Sequence, residues 1–331
     1  MGSRTTAALL TAYLLSSSVF AQAAPDQQQF TEEVAVSYVM IPFTALGTKG
    51  DPITNLREGD VALFVDGVPV RSDMFERSMD APVSFTILVD GSGSMELAGK
   101  MQAARAAISA LLERRKKGDD FSLYVFNDEN ATELVPFTTD ANKIIRALLG
   151  IKPYGKTAFF DALADMPEKS LLGNNPTQAI ILLSDGIDNA SQLTRAQIAK
   201  QLEGVAIPIF ALGLREPGEV RSTTKTAEES ANLQLLTELA SLTGGRSFIG
   251  NQPEQLSAAI DAMEESLRAQ YLIGFSPTGK GVVKYRRISV RLPGRARSVR
   301  VRAGYRGTEP PVLSAAASQR GKNKRNERKG S

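Results

Sequence analysis

The sequence predicts an α/β chain: a doubly wound, mostly parallel sheet with helices on both faces, inserted in a small β-sandwich-like domain built from both chain ends. Three observations carry this expectation. Between residues 81 and 268, apolar runs such as "SFTILVD", "TQAIILLSDG" and "VAIPIFALGL" alternate with segments of helical period. Strands that are apolar on both faces belong to a parallel sheet covered on both sides. The flanking residues, 30–80 and 269–307, carry strand-like runs instead. Finally, the 331 residues are 42% apolar, enough for more than one core.

The elements follow in chain order. Residues 1–23 read as a secretory signal peptide, with Arg4 as a positive start and Ala21–Ala23 as a small-residue cleavage pattern. The apolar stretch between them, "TTAALLTAYLLSSSVF", is 16 residues long and broken by serines. A spanning helix needs roughly 20 apolar residues. Export is therefore expected rather than anchoring, with the mature chain periplasmic or secreted and without a transmembrane helix.

Residues 30–80 hold "EEVAVSYVMIPFTAL" and "DVALFVDGVPVRSDMFE", where Asp66-Gly67 predicts a tight hairpin. In 81–268, "SFTILVD" leads into a helix from about Leu97 to Arg115, and "DDFSLYVFND" and "TELVPFT" form neighbouring strands. Helices are expected near 141–149, from "TAFFDALADM", and over "TRAQIAKQLE", "ANLQLLTELASLTG" and "PEQLSAAIDAMEESLRAQ"; "RSFIG" is a short strand. In the last block, "RRISVRLPGRARSVRVRAGY" sets Ile288, Val290, Leu292, Val299 and Val301 on one face. Arg287, Arg291, Arg300 and Arg302 fall on the other, predicting two half-buried strands with arginines in solvent. Residues 308–331 are expected to be a disordered basic tail.

Composition excludes much chemistry. The chain has no Cys, no His and no Trp. Disulfides, Cys- or His-ligated zinc, haem and iron–sulfur ligation through those residues, and Ser-His-Asp or Cys-His machinery are all ruled out. A metal would have to be held by oxygens, which favours Mg²⁺, Mn²⁺ or Ca²⁺. The net charge of +3 is misleading. Removing Arg4 and the tail's excess of five positive charges leaves residues 24–313 at −3.

The chemistry gathers where strands end. In an open parallel sheet, ligands sit beyond the carboxyl ends of the strands. Asp90 closes "SFTILVD", Asp185 closes "ILLSDG", and Thr157 stands at the start of a helix between them. Ser92 and Ser94 alternate with Gly91 and Gly93, and glycine lets the backbone turn tightly enough for both hydroxyls to converge. Two acids and three hydroxyls on one edge make an oxygen-only site for a hard divalent cation. A helix N-cap alone would explain one acid but not three matching junctions. The loop from Asp90 has Met101 at its twelfth position, where an EF-hand needs a bidentate Glu, and no G-K-[ST] ending marks a phosphate loop.

"DGSGS", the Thr opening "TAFFDAL" and the Asp of "LLSDG" resemble the metal-ion-dependent adhesion site of von Willebrand factor type A (vWA) domains. All five positions match: Asp90, Ser92, Ser94, Thr157 and Asp185. The resemblance implies direct cation contact from Ser92, Ser94 and, in the engaged state, Thr157, with Asp90 and Asp185 acting through water. It further implies an ion left under-neutralised and able to take a carboxylate from a partner. One departure is Lys156, in "YGKTAFF", where a glycine is usual. Over residues 30–306 the chain also resembles the bacterial exported "VWFA-related" proteins common in acidobacteria, through "ITNLREGDVALFVDGVPV", "SMDAPVSFTILVDGSGSM" and "QYLIGFSPTGKGVVKYRRISVRL".

The expectation is an exported, non-enzymatic protein-binding or adhesion module that captures a protein or peptide carboxylate in the cell envelope or outside. Mg²⁺ is the expected ion, with Mn²⁺ and Ca²⁺ as alternatives. A rival reading is a metal-dependent hydrolase of phosphate or ester groups, using Asp185 or Asp188 to activate water. A third is an envelope scaffold that works without metal. Asp161 and Asp188 read as caps and turn stabilisers. The loop 215–230 is expected to overhang the site edge. From Lys280 to Arg306 ten basic residues occur without an acid, expected as a solvated strand face. No aromatic–basic motif for reading nucleic acid is present.

Overall fold

The computed structural model describes residues 38–48, 50–77, 81–128, 130–215, 223–250, 252–292 and 298–311. Residues 1–23, expected as a signal peptide, residues 216–222 of the loop expected over the site edge, and the expected tail from residue 312 onward lie outside the described residues.

Four strands come first: β1 (Val39–Leu46), β2 (Ala62–Val65), β3 (Val68–Val70) and β4 (Met74–Arg77). A βα-rich segment follows: β5 (Val83–Asp90), α1 (Lys100–Glu113), β6 (Asp120–Phe126), β7 (Thr132–Thr138), α2 (Ala141–Gly150), α3 (Phe159–Ser170) and β8 (Thr177–Ser184). It continues through α4 (Arg195–Leu202), β9 (Ile209–Leu214), α5 (Thr223–Leu242), β10 (Arg246–Gly250) and α6 (Pro253–Arg268). The last strands are β11 (Tyr271–Phe275), β12 (Lys284–Arg291), β13 (Ser298–Val301) and β14 (Gly304–Gly307).

The predicted fold class is borne out. The central sheet has the order β10-β9-β8-β5-β6-β7, parallel except for β7, which pairs antiparallel with β6. Strand β5 is buried along its whole length, so its alternate residues feed two cores. Phe85, Ile87 and Val89 pack with Ala104 and Leu111 of α1, Ile144 of α2 and Ile260 of α6. Leu88 turns to the opposite face, with Leu163 of α3, Ile198 of α4 and Leu236 of α5. Each such side chain, fully buried, contributes about 1.5–3 kcal/mol. Helices on both faces follow from that alternation.

The remaining strands form two antiparallel sheets, β13-β1-β11-β4 and β14-β12-β2-β3. One core joins them: Ile41, Phe43 and Ile273 from the first pack with Leu63, Val65 and Val290 from the second. The Asp66-Gly67 turn between β2 and β3 has φ of 51° and 80°, both in the left-handed region that a two-residue hairpin of this twist demands.

The two basic strands fall in different sheets: β12 pairs with β2 and β14, whereas β13 pairs with β1. Three expectations need correction. Arg302 is not on a solvated face; it is 7% exposed, with its guanidinium on the backbone carbonyls of Gly204 and Met40. Helix α1 starts at Lys100 rather than Leu97, because residues 93–99 form a 3₁₀ segment closed by left-handed Ala98 and Gly99. Helix α5 starts at Thr223, inside the segment expected as a loop to residue 230. Good helix formers at Ala227, Glu228 and Glu229 extend the periodic run backwards.

Candidate functional site

The sheet order reverses at β5. Strands β6 and β7 lie to one side of it, and β8, β9 and β10 to the other. The crevice beyond the carboxyl ends of β5 and β8 is therefore the switch point of the fold, where open α/β sheets hold ligands. Asp90 ends β5, and Asp185 follows directly on β8. Because Val89 pairs with Leu183, the register sets Asp90 level with Ser184.

The side chains here are fixed by short hydrogen bonds. Asp90, with no exposed surface, accepts the Ser92 N–H on Oδ1 at 2.9 Å and the Ser184 hydroxyl on Oδ2 at 2.7 Å. Burial, and secondarily the charge of Asp185, push its carboxyl up to about 6; the Ser92 and Ser184 hydrogen bonds act in the opposite direction. Ser92 is buried and Ser94 half-buried, and their hydroxyl oxygens stand 3.1 Å apart. Thr157 is buried as well. Its loop is held against the serine loop by Gly93 N–H donating to Gly155 O at 3.1 Å and Tyr154 N–H donating to Gly91 O at 2.9 Å. From the β8 side, Asn189 Oδ1 accepts the Thr157 N–H at 2.8 Å, and the amides of Asn189 and Ala190 donate to Thr157 O at 3.0 Å. Lys156, the departure noted above, is exposed.

Gly186 makes the turn after Asp185. Its φ is +78°, and a Cβ there would stand 2.7 Å from Asn232 O of α5. Neither the dihedral nor the space admits another residue. Asp185 Oδ1 in turn accepts the Ile187 N–H at 3.2 Å.

Asp161 and Asp188 behave as caps. Asp188 Oδ1 accepts the Phe159 N–H at 2.9 Å at the start of α3, and Asp161 accepts the amides of Gln192 and Leu193 at 2.8 and 2.9 Å.

One charged residue escaped the sequence reading. Lys100, 6% exposed, donates from Nζ to Asp185 Oδ2 at 2.8 Å, and the Asp185 side chain is 5% exposed. The signal was present: Lys100 heads the stripe Ala104, Ala107 and Leu111 that faces the core. A lysine on that stripe must find a buried partner. The pair borders a cavity of about 210 Å³, lined also by Ile187, Leu214, Glu228, Glu229 and Asn232.

The donors suit a divalent cation. Two ligands at right angles on an ion with bonds of about 2.1 Å stand about 3.0 Å apart, against about 3.4 Å for bonds of about 2.4 Å. The Ser92 and Ser94 hydroxyls share a hydrogen bond at 3.1 Å, close enough to take neighbouring positions around an ion of either size. Both carboxylates are already engaged by protein donors, which fits contact through water better than direct ligation. Among the described residues, no three acidic side chains converge to cage a metal, so hydroxyls would have to share the task.

Residues 85–187 match the family profile of the von Willebrand factor type A domain. Among solved structures, the chain is similar to a von Willebrand factor type A protein from Catenulispora acidiphila, at 13% identity and a TM-score of 0.47, covering 85% of this chain and 77% of that one. It is similar also to the vWF domain of the type V pili tip protein Mfa5 from Porphyromonas gingivalis, at 14% identity and a TM-score of 0.44, covering 62% and 98%. An aerotolerance-related membrane protein from Bacteroides fragilis aligns at 20% identity and a TM-score of 0.42, covering 56% and 98%. Compared with curated protein sequences, the chain matches none. The profile match covers the Asp90 and Asp185 junctions and the Thr157 loop between them, and the chain carries a von Willebrand factor type A domain.

Proposed function

We propose that this domain is an exported, non-enzymatic binding module that captures a carboxylate of a protein or peptide partner at a divalent cation, with Mg²⁺ as the expected ion. Ser92, Ser94 and Thr157 would hold the cation with their hydroxyls, and Asp90 and Asp185 would steady its waters. The ion would supply a compact positive charge at the mouth of the crevice, where Ser94 is half-buried. The observation that carries this reading is the meeting of the β5 and β8 ends, with Asp90 locked to Ser92 and Ser184 and the two serine hydroxyls 3.1 Å apart. The hydrolase alternative needs a free base. Asp188 instead caps α3, and Asp185 is paired with Lys100. Among the described residues, no helix is long and apolar enough to cross a membrane.

Thermal unfolding of the full chain with and without Mg²⁺ tests the reading. The expected result is a Mg²⁺-dependent rise in Tm for the wild type, absent in Asp90→Ala and reduced in Ser94→Ala, which removes one half-buried hydroxyl and little else. Equal stabilisation of all three proteins would refute the site.

A further inference from the structure

The Lys100–Asp185 pair has a consequence for the charge of the crevice. Three ionisable groups are buried there: Asp90, Asp185 and Lys100, at 0%, 4% and 6% exposure. Their formal charges sum to −1. The other charged groups around the rim lie nearer water: Glu96, Asp128, Lys156 and Glu228 are exposed, and Glu229 and Asp188 are half-exposed, the latter already accepting the amides of Phe159 and Phe160. Water and salt screen those charges far more than the buried three.

A divalent cation added to a buried set of −1 leaves an excess of +1, which one incoming carboxylate brings to zero. Without the ammonium, the same two aspartates would neutralise the cation completely. An anion would then gain little from entering. The lysine also opposes the cation directly, because it is a like charge bound to one of the carboxylates that should attract the ion.

Resting on the cation reading above, we infer that Lys100 sets the balance of this site: it weakens the hold on the cation alone and creates the affinity for an anion once the cation is present. Lys100 is thus a specificity-determining residue for the partner's carboxylate, although it need not touch it. Its position favours this role over simple packing. An apolar residue would suit the Ala104–Ala107–Leu111 stripe better, yet the stripe begins with an ammonium aimed at Asp185 Oδ2, 2.8 Å away. The effect runs in opposite directions on the two ligands, which packing alone would not produce.

The test uses the full chain, with Mg²⁺ alone and sodium acetate as probes. Calorimetric titration with Mg²⁺ is run in sodium chloride and in sodium acetate at equal ionic strength, with the acetate–Mg²⁺ association in buffer subtracted. In the wild type, acetate is expected to tighten Mg²⁺ binding. In Lys100→Gln, Mg²⁺ in chloride is expected to bind about tenfold tighter or more, and the gain from acetate to fall by a similar factor. Lys100→Met, which restores an apolar stripe, should behave as Lys100→Gln does, and Lys100→Arg, which keeps the charge, as the wild type. Equal or weaker Mg²⁺ binding by folded Lys100→Gln, or no coupling to acetate in the wild type, overturns this inference while leaving the cation site standing. If the wild type binds no Mg²⁺ at all, both the inference and the cation reading fall. Should neither neutral variant fold, the lysine serves the fold rather than the charge balance, and the inference is overturned as well.

Discussion

Replacing Arg302 with Met sets two buried effects against each other. The guanidinium is 7% exposed and bridges two backbone carbonyls, donating from Nη1 to Gly204 O at 3.0 Å and from Nη2 to Met40 O at 2.9 Å. It thereby joins β1 of the sandwich to the turn after α4. Neither bond reaches a carboxylate, and Nε has no partner. Burial draws the Arg302 pKa down to about 10 from 12.5. At about 1.4 kcal/mol per unit, keeping the charge inside costs about 3 kcal/mol. Two charge-assisted hydrogen bonds return about 1.5–3 kcal/mol each. The arginine is therefore close to neutral or modestly favourable. In Arg302→Met the desolvation cost disappears along with both bonds. The two carbonyls need not stay dry, because Met40, Gly204 and Arg302 line a cavity of about 550 Å³ that water can enter. The expected loss is about 1–2 kcal/mol in urea unfolding, well below the 3–5 kcal/mol of breaking a buried ion pair. Arg302→Lys, with one compact donor head in place of a fork, should cost as much or more. A loss above about 4 kcal/mol for Arg302→Met would show that the carbonyls cannot be rehydrated, and the reasoning would fail.

Two further predictions concern the crevice. In EDTA, the Asp90 carboxyl titrates near 6 in the folded chain and near 3.8 unfolded, so the folded state binds its proton more tightly. Its stabilising contribution is complete only well below pH 3.8 and is lost as pH rises through 6; relative to Asp90→Asn, the wild type should lose about 2–2.5 kcal/mol between pH 4 and pH 7. Urea curves that move in parallel for the two proteins would contradict this. Gly186→Ala combines a left-handed φ with a Cβ 2.7 Å from a backbone oxygen of α5. It should cost about 2–3 kcal/mol and weaken the response to Mg²⁺, since the turn aims Asp185. A melting temperature unchanged from wild type would show that α5 yields more readily than argued.

Much of this arrangement is legible in the sequence, for local reasons. A strand buried on both faces leaves an unbroken apolar run, so β5, β8 and β9 stand out, and an acid at the end of such a run marks the sheet edge. The Asp66-Gly67 hairpin is equally local, because two consecutive residues supply its left-handed dihedrals. What the sequence hides depends on distant partners. Lys100 shows by its place on a core-facing stripe that it needs a buried partner, but not that the partner is Asp185, 85 residues away. Arg302 continues an alternating pattern on paper, yet its partners are the carbonyls of Gly204 and Met40, 98 and 262 residues away. The parting of β12 and β13 into separate sheets is set by their pairing with β2 and β1, more than 200 residues earlier. No window of local periodicity contains that information.

The pairing of β1 with β11 also shapes how the chain must be made. Met40 meets Gly274, and Phe43 meets Tyr271, so the first strand has no sheet to join until more than 200 further residues exist. The inserted domain is bracketed by β4 and β11, which lie side by side, and it can close its own two cores while the flanking strands wait. On a nascent chain, Ile41, Phe43, Leu63 and Val65 would be left without their partner sheet until the C-terminal strands emerge. The sandwich is the last part to assemble, and its early strands are where delay during synthesis exposes adhesive surface.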